Sequence, residues 1–206
     1  MKRTLALTAA AVATTLPLAA CGGNDDTAMP GMSGDSASSS SSESASAASG
    51  EFTGADVMFA QGMIPHHAQA VEMSDVLLAK DDVDEDVRAL AEQIKAAQAP
   101  EIEQMTGWLE GWDAEVPSMD GMDMGTDDSM NEMMSPEDMQ ALEDATGTEA
   151  SRLFIEQMTE HHDGAIEMAQ TELDEGTDPE AKELAQTIID TQQAEIEEMQ
   201  ELLAGL

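Results

Sequence analysis

An all-α fold, an antiparallel bundle of four long helices made from two copies of one helical hairpin, is predicted by three observations. The chain repeats itself, its apolar residues recur at helical spacing, and it has few aromatic residues. Phe59-Ala-Gln-Gly-Met63-Ile-Pro-His66-His67-Ala-Gln-Ala70-Val-Glu72-Met73 matches Phe154-Ile-Glu-Gln-Met158-Thr-Glu-His161-His162-Asp-Gly-Ala165-Ile-Glu167-Met168 at a constant offset of 95. After a one-residue deletion the match resumes at an offset of 94. Leu90, Ile94, Gln98, Glu101, Met105 and Leu109 then pair with Leu184, Ile188, Gln192, Glu195, Met199 and Leu203. A unit of two helices that occurs twice is the simplest reading.

Each element follows from its spacing. At ~100° per residue, Phe59, Met63, His66, His67, Ala70, Ser74 and Leu77 fall on one stripe of the first helix, and Phe154, Met158, His161, His162, Ala165 and Ala169 on that of the third. Leu90, Ile94, Ala97, Glu101, Met105 and Trp108 share a face of the second helix; Leu184, Ile188, Glu195, Met199 and Leu202 share one of the fourth. Thr53 with Asp56, Asp82 with Glu85, and Thr177-Asp178-Pro179-Glu180 supply start signals for the first, second and fourth helices. Short hairpin loops make sequential helices antiparallel. Pro65 and Pro100 each remove a backbone donor and should bend their helices. The five aromatic residues, Phe52, Phe59, Phe154, Trp108 and Trp112, leave the core to Leu, Ile, Val, Ala and Met. A helical bundle tolerates that.

The domain layout is read from composition. Residues 1–20 have the character of an export signal, with Lys2 and Arg3 ahead of an apolar run from Leu5 to Leu18. Leu18-Ala19-Ala20-Cys21 resembles a bacterial lipobox, which implies cleavage before Cys21 and lipidation of its thiol. Residues 21–51 are Ser-rich and too polar to offset chain entropy, a flexible tether. The folded domain is then 52–206: repeat one at 52–112, a Met-rich insert at 113–148 and repeat two at 149–206. Ser135-Pro136-Glu137-Asp138 opens a short helix to about Ala145 within the insert, and the rest of the insert should be mobile.

Charge and cysteine usage exclude several functions. Forty-four acidic against seven basic residues give a net charge of −37. Losing residues 1–20 removes only Lys2 and Arg3, so the mature chain is more acidic still. Nucleic acid is repelled by such a surface. Cys21 is the sole cysteine, so the mature domain has no disulfide and no thiolate metal ligand. Any soft ligand must be methionine. No nucleophile–base pair or phosphate-binding loop is visible, which argues against an enzyme. Trp108 and Trp112 near a bundle end allow a homodimer without requiring one.

Histidine occurs only as the two pairs His66-His67 and His161-His162, on the stripes that must face the core. Buried imidazoles need partners. Glu101 and Glu195, with Gln98 and Gln192, interrupt the apolar faces of the second and fourth helices at equivalent places and would meet them near the middle of the bundle. One reading makes this a polar belt that fixes helix register. The other makes it a metal site, with His66, His67, His161 and His162 as ligands, Met63, Met73, Met158 and Met168 adding thioethers, and the Glu and Gln residues orienting the imidazoles. The Glu-x-x-His spacing of di-iron bundles is absent from the histidine helices.

Seventeen methionines favour the metal reading. Burial does not account for Met119, Met122, Met124, Met130, Met133 and Met134 in a hydrophilic insert, whereas thioethers favour Cu(I) over harder ions and imidazole serves Cu(II) and Cu(I) alike. Met105, Met158 and Met199 also suit core packing. The repeated Phe-x-x-x-Met-x-x-His-His-x-x-Ala-x-x-Met, followed by a Gln-x-x-Glu-x-x-x-Met helix, resembles the DUF305 family of ferritin-like four-helix bacterial secreted proteins, over about residues 52–206 apart from the insert. That resemblance implies copper binding, as in some members, with roles for both histidine pairs. The expectation is a lipid-anchored protein on the outer face of the cell membrane that captures or buffers Cu(I)/Cu(II), with the insert methionines as auxiliary sites. A ferritin-like metal oxidase and a metal-free adaptor are the alternatives.

Overall fold

The structure, a computed structural model, describes residues 52–118 and 133–206. Four long helices and one short one account for most of them: α1 (Gly54–Leu78), α2 (Glu85–Gly111), α3 (Pro136–Asp144), α4 (Gly147–Glu175) and α5 (Pro179–Gly205). Cys21, the tether, and Met119, Met122, Met124 and Met130 lie outside the described residues. Among the described residues no helix is long and apolar enough to cross a membrane.

Two hairpins, α1–α2 and α4–α5, pack through their histidine helices. Gly62 of α1 meets the Met168 sulfur of α4, which would lie 3.6 Å from a Cβ there. The His66 and His161 rings meet at 3.7 Å. Ala70 and Met73 share a cluster with Phe154 and Met158. As the chain ascends α1 its partners descend α4, so these helices are antiparallel. Every residue of the two predicted stripes is buried, which is the burial that stabilises the bundle, at about 1.5–3 kcal/mol for each large apolar side chain.

The core divides into two clusters on either side of the histidines. One gathers Met73, Leu77, Leu90, Ile94, Phe154, Met158 and Met199. The other gathers Phe59, Met63, Met105, Leu109, Ala165, Leu184 and Ile188. Phe59 and Phe154, Met63 and Met158, and Leu90 and Leu184 are repeat equivalents, and each pair is split between the clusters. The duplication therefore acts as a local two-fold, with His66 facing its own equivalent, His161, at the crossing.

Helix ends follow mostly from the local sequence. Asp178 caps α5 through the backbone amides of Glu180 and Ala181, with Pro179 in the first turn. Ser135 caps α3, and Asp138 returns a bond to the Ser135 amide. The start of α2 differs from expectation. Asp84, not Asp82, is the cap, accepting from the amides of Asp86 and Val87 at 3.0 and 3.3 Å. Asp82 instead turns the loop with φ 59°, because the chain needs two further residues to bury Val83 in the first cluster. Asp84→Ala is expected to lower stability by about 1 kcal/mol in chemical denaturation, whereas Asp82→Gly should not. Ala97, expected on the buried face of α2, is exposed, and Gln98 takes the inward position. Helices α1 and α2 continue unbroken through Pro65 and Pro100.

The short helix α3 seals one end of the crevice between α1 and α4. Leu142 is buried in the first cluster, the Gln157 amide donates to the Asp138 carbonyl, and Lys80 donates to the Glu143 carbonyl. Gln69 makes two bonds to the backbone of Met134, at 2.9 and 2.8 Å. Met134 is thereby a core residue, 6% exposed, not a side chain of a mobile capture segment. Trp108 and Trp112 stack on each other, and Trp112 stacks on Phe52 at 5.0 Å. Both tryptophans are partly buried against the second cluster, so they close an end of their own bundle.

Candidate metal centre

The four histidines occupy the waist of the bundle. His67, His161 and His162 are fully buried and His66 is 2% exposed. They arrive there because adjacent residues on a helix diverge by ~100°. The first of each pair turns toward the opposite histidine helix and the second toward its own hairpin partner. His67 Nε2 lies 2.7 Å from Glu101 Oε2 on α2, and His162 Nε2 lies 2.8 Å from Glu195 Oε2 on α5. His66 and His161 face each other across the local two-fold, with their rings inclined by 39°.

The electrostatics follow from burial. Desolvation first, then the neighbouring His66, His162 and His67, hold His161 well below the ordinary imidazole range. It is neutral at neutral pH, as a metal ligand must be. A carboxylate only accepts hydrogen bonds, so Glu101 and Glu195 fix the proton of their histidines on Nε2. The Nδ1 atoms of His67 and His162 are left as basic lone pairs, buried and without a hydrogen-bond partner. Gln98 and Gln192, expected to orient the imidazoles, are buried at 2% and 3% exposure but do not bond them. Both amide atoms of Gln98 and the Gln192 oxygen are also unmatched. Few native polar groups are left this way without a reason.

The predicted thioethers separate into different surroundings. Met63 and Met158, one helical turn before the histidine pairs, are fully buried in the second and first clusters respectively. Met73 is sealed in the first cluster, near Leu77. Its repeat equivalent, Met168, is only partly buried and lines a surface groove with Met133. Among the described residues no three His, Asp or Glu side chains already stand together as a metal site. The donor set nevertheless suits a soft or borderline ion: imidazoles oriented by carboxylates, with thioethers one turn away.

Residues 56–203 match the family model described as Domain of unknown function (DUF305). The chain is a DUF305 protein. No curated protein matches it. Among solved structures, a DUF305 protein from Streptomyces coelicolor, described as secreted, is 36% identical over 73% of this chain and 93% of its own, with a TM-score of 0.66. A DUF305 fragment from Deinococcus radiodurans is 31% identical over 75% of this chain and 98% of its own, also at 0.66. CopM in its Cu(II)-bound form is 33% identical over 73% of this chain and 96% of its own, at 0.62. CopM has also been solved in Cu(I)-bound, Ag-bound and apo forms.

Two features of this DUF305 chain escaped the sequence reading. Asp56, read as a cap, also accepts hydrogen bonds from the amides of Thr177 and Asp178 at 2.9 and 2.7 Å, tying the start of α1 to the α4–α5 loop. Glu172 lies in the same corner and is 1% exposed. Burial, then a hydrogen bond with Asp56 and that carboxylate's charge, push its pKa up to about 8. The available signal was the repeat itself: Glu172 occupies the place that Leu77 holds in the first copy.

Proposed function

We propose that the chain is an extracytoplasmic, lipid-anchored copper protein that captures or buffers Cu(I)/Cu(II) without catalysing a reaction. The observation that carries this reading is the pair of buried, unclaimed Nδ1 lone pairs on His67 and His162, each on an imidazole oriented by a carboxylate. Carboxylate-oriented imidazoles are the usual way a protein presents nitrogen to a transition metal. His66 and His161, which face each other with tilted rings, add two more imidazoles, and Met63 and Met158 are the thioethers in reach by helical spacing. Met73 joins them only if the first cluster opens.

The copper- and silver-bound forms of CopM support the choice of metal. The resemblance of Leu18-Ala19-Ala20-Cys21 to a lipobox, together with the relative described as secreted, supports a site outside the cytoplasm. High negative charge concentrates cations near the surface, which suits a capture protein. Met119, Met122, Met124 and Met130 serve as weaker, exchangeable sites.

Anaerobic titration of the full chain with Cu(I) and separately with Cu(II), against a chelator of known affinity, tests the reading. At least one tightly held copper per chain is expected. No bound copper at micromolar metal would sink it, and steady oxygen uptake on adding the reduced metal would mark an oxidase instead.

A further inference from the structure

The crevice between α1 and α4 has two ends related by the local two-fold, and the protein treats them differently. One end is filled by α3. The other remains an open groove of about 430 Å³ whose lining includes Met58, Gly62, Met133, Met168 and Glu172. Met58 is 64% exposed, although a methionine gains nothing by projecting into water. Gly62 lets the Met168 sulfur lie against the α1 backbone, where the repeat equivalent, Gln157, instead binds α3. Met133 is contributed by the segment that leads into α3.

Glu172 is the second, independent observation. Its carboxyl is sealed from solvent, no amide, hydroxyl or cationic side chain donates to either oxygen, and its polar neighbour is the Asp56 carboxylate. Asp56 already accepts from Thr53, Thr177 and Asp178 and as a carboxylate can only accept, so the Glu172 carboxyl must keep its own proton to face it. At the equivalent position of the sealed end stands Leu77, which is fully buried. A carboxyl where the sister copy has leucine costs stability, and a cation beside it would offset that cost. Pro65, the residue before His66, also lines the groove, so it opens beside the histidine waist.

We propose that this groove is a separate soft-metal site, in which the thioethers of Met58, Met133 and Met168 take Cu(I) or Ag(I), and the Glu172 carboxyl releases its proton to solvent as the ion binds and so balances the charge. It rests on the copper reading above and adds the point at which a monovalent ion is captured from solvent. Three neutral sulfurs and one carboxylate select a soft univalent cation over Zn(II) or Mg(II).

The test uses the full chain with [methyl-13C]methionine and Ag(I). On titration, the methyl signals of Met58, Met133 and Met168 should move together in the unaltered protein. The triple variant Met58→Leu/Met133→Leu/Met168→Leu, which keeps side-chain volume and every histidine, should bind one Ag(I) fewer by native mass spectrometry, with Cu(II) binding changed less than about twofold. Unmoved methyl signals, or an unchanged Ag(I) count in the triple variant, overturn the groove while leaving the histidine site standing. Conversely, Ag(I) held by the groove in a chain that binds no copper at its histidines would overturn the histidine reading alone.

Discussion

Asp56→Ala is expected to destabilise the domain by about 3–5 kcal/mol, more than loss of an ordinary helix cap. The reason lies in how many donors converge on one carboxylate. It accepts from the Thr53 amide and hydroxyl at 2.6 and 2.7 Å, and from the Thr177 and Asp178 amides at 2.9 and 2.7 Å. Truncation strands two amides in the α4–α5 loop and frees the first turn of α1 from the opposite hairpin. Desolvation disfavours its ionised form, but the bonds from Thr53, Asp178 and Thr177 outweigh that and hold the group well below its ordinary value of 3.8. The unfolded chain therefore binds this proton first. Stability from Asp56 is complete above the unfolded value and is lost as pH falls below it. Glu172 has the opposite sign: with its pKa raised from 4.5 to about 8, its contribution is fully present below 4.5 and declines as pH rises toward 8. Urea denaturation between pH 3 and 9 should give Asp56→Ala a flatter acid limb and Glu172→Gln a flatter alkaline one. An Asp56→Ala protein within about 1 kcal/mol of the parent at neutral pH would show that the convergence matters little.

The fold was legible because its signals are local and occur twice. The stripe from Phe59 to Leu77 and its copy from Phe154 to Ala169 are buried as read, since helical period and burial express the same geometry. The encounter of His67 with Glu101 and of His162 with Glu195 was also legible. A carboxylate that interrupts an apolar face must find a partner, and antiparallel hairpins bring the middles of their helices together. What the residues do not carry is anything decided by a distant segment. Gln98 and Gln192 lie one turn before those glutamates yet do not bond the histidines. Met134 reads as part of a polar insert, yet Gln69 pins its backbone and α3 carries it into the core. Met58 falls off the apolar stripe and resembles any exposed side chain until the crevice beside it is known to be open. The two-fold was written in the repeat, but only packing reveals where the insert breaks it.

Exchanging His66, His67, His161 and His162 for glutamine should abolish tight Cu(II) binding, and Glu101→Gln with Glu195→Gln should weaken it by about 10–100-fold for each carboxylate removed. The glutamate variants are the more informative, because they leave every proposed ligand in place. A carboxylate accepts only, so it holds the proton on Nε2 and leaves Nδ1 for metal. A glutamine amide presents a donor as well as an acceptor, so the imidazole can shift its proton to Nδ1, where it blocks the lone pair. The loss should then appear as weaker affinity at unchanged stoichiometry, with an altered nitrogen-ligand signature in the electron paramagnetic resonance of the Cu(II) form. A purely structural belt predicts something different. Glutamine still hydrogen-bonds histidine at 2.7–2.8 Å distances such as those seen here, so stability would shift slightly and copper affinity not at all. Unchanged affinity in the double glutamate variant, alongside its loss in the quadruple histidine variant, would mean that the histidines bind metal without help from the carboxylates.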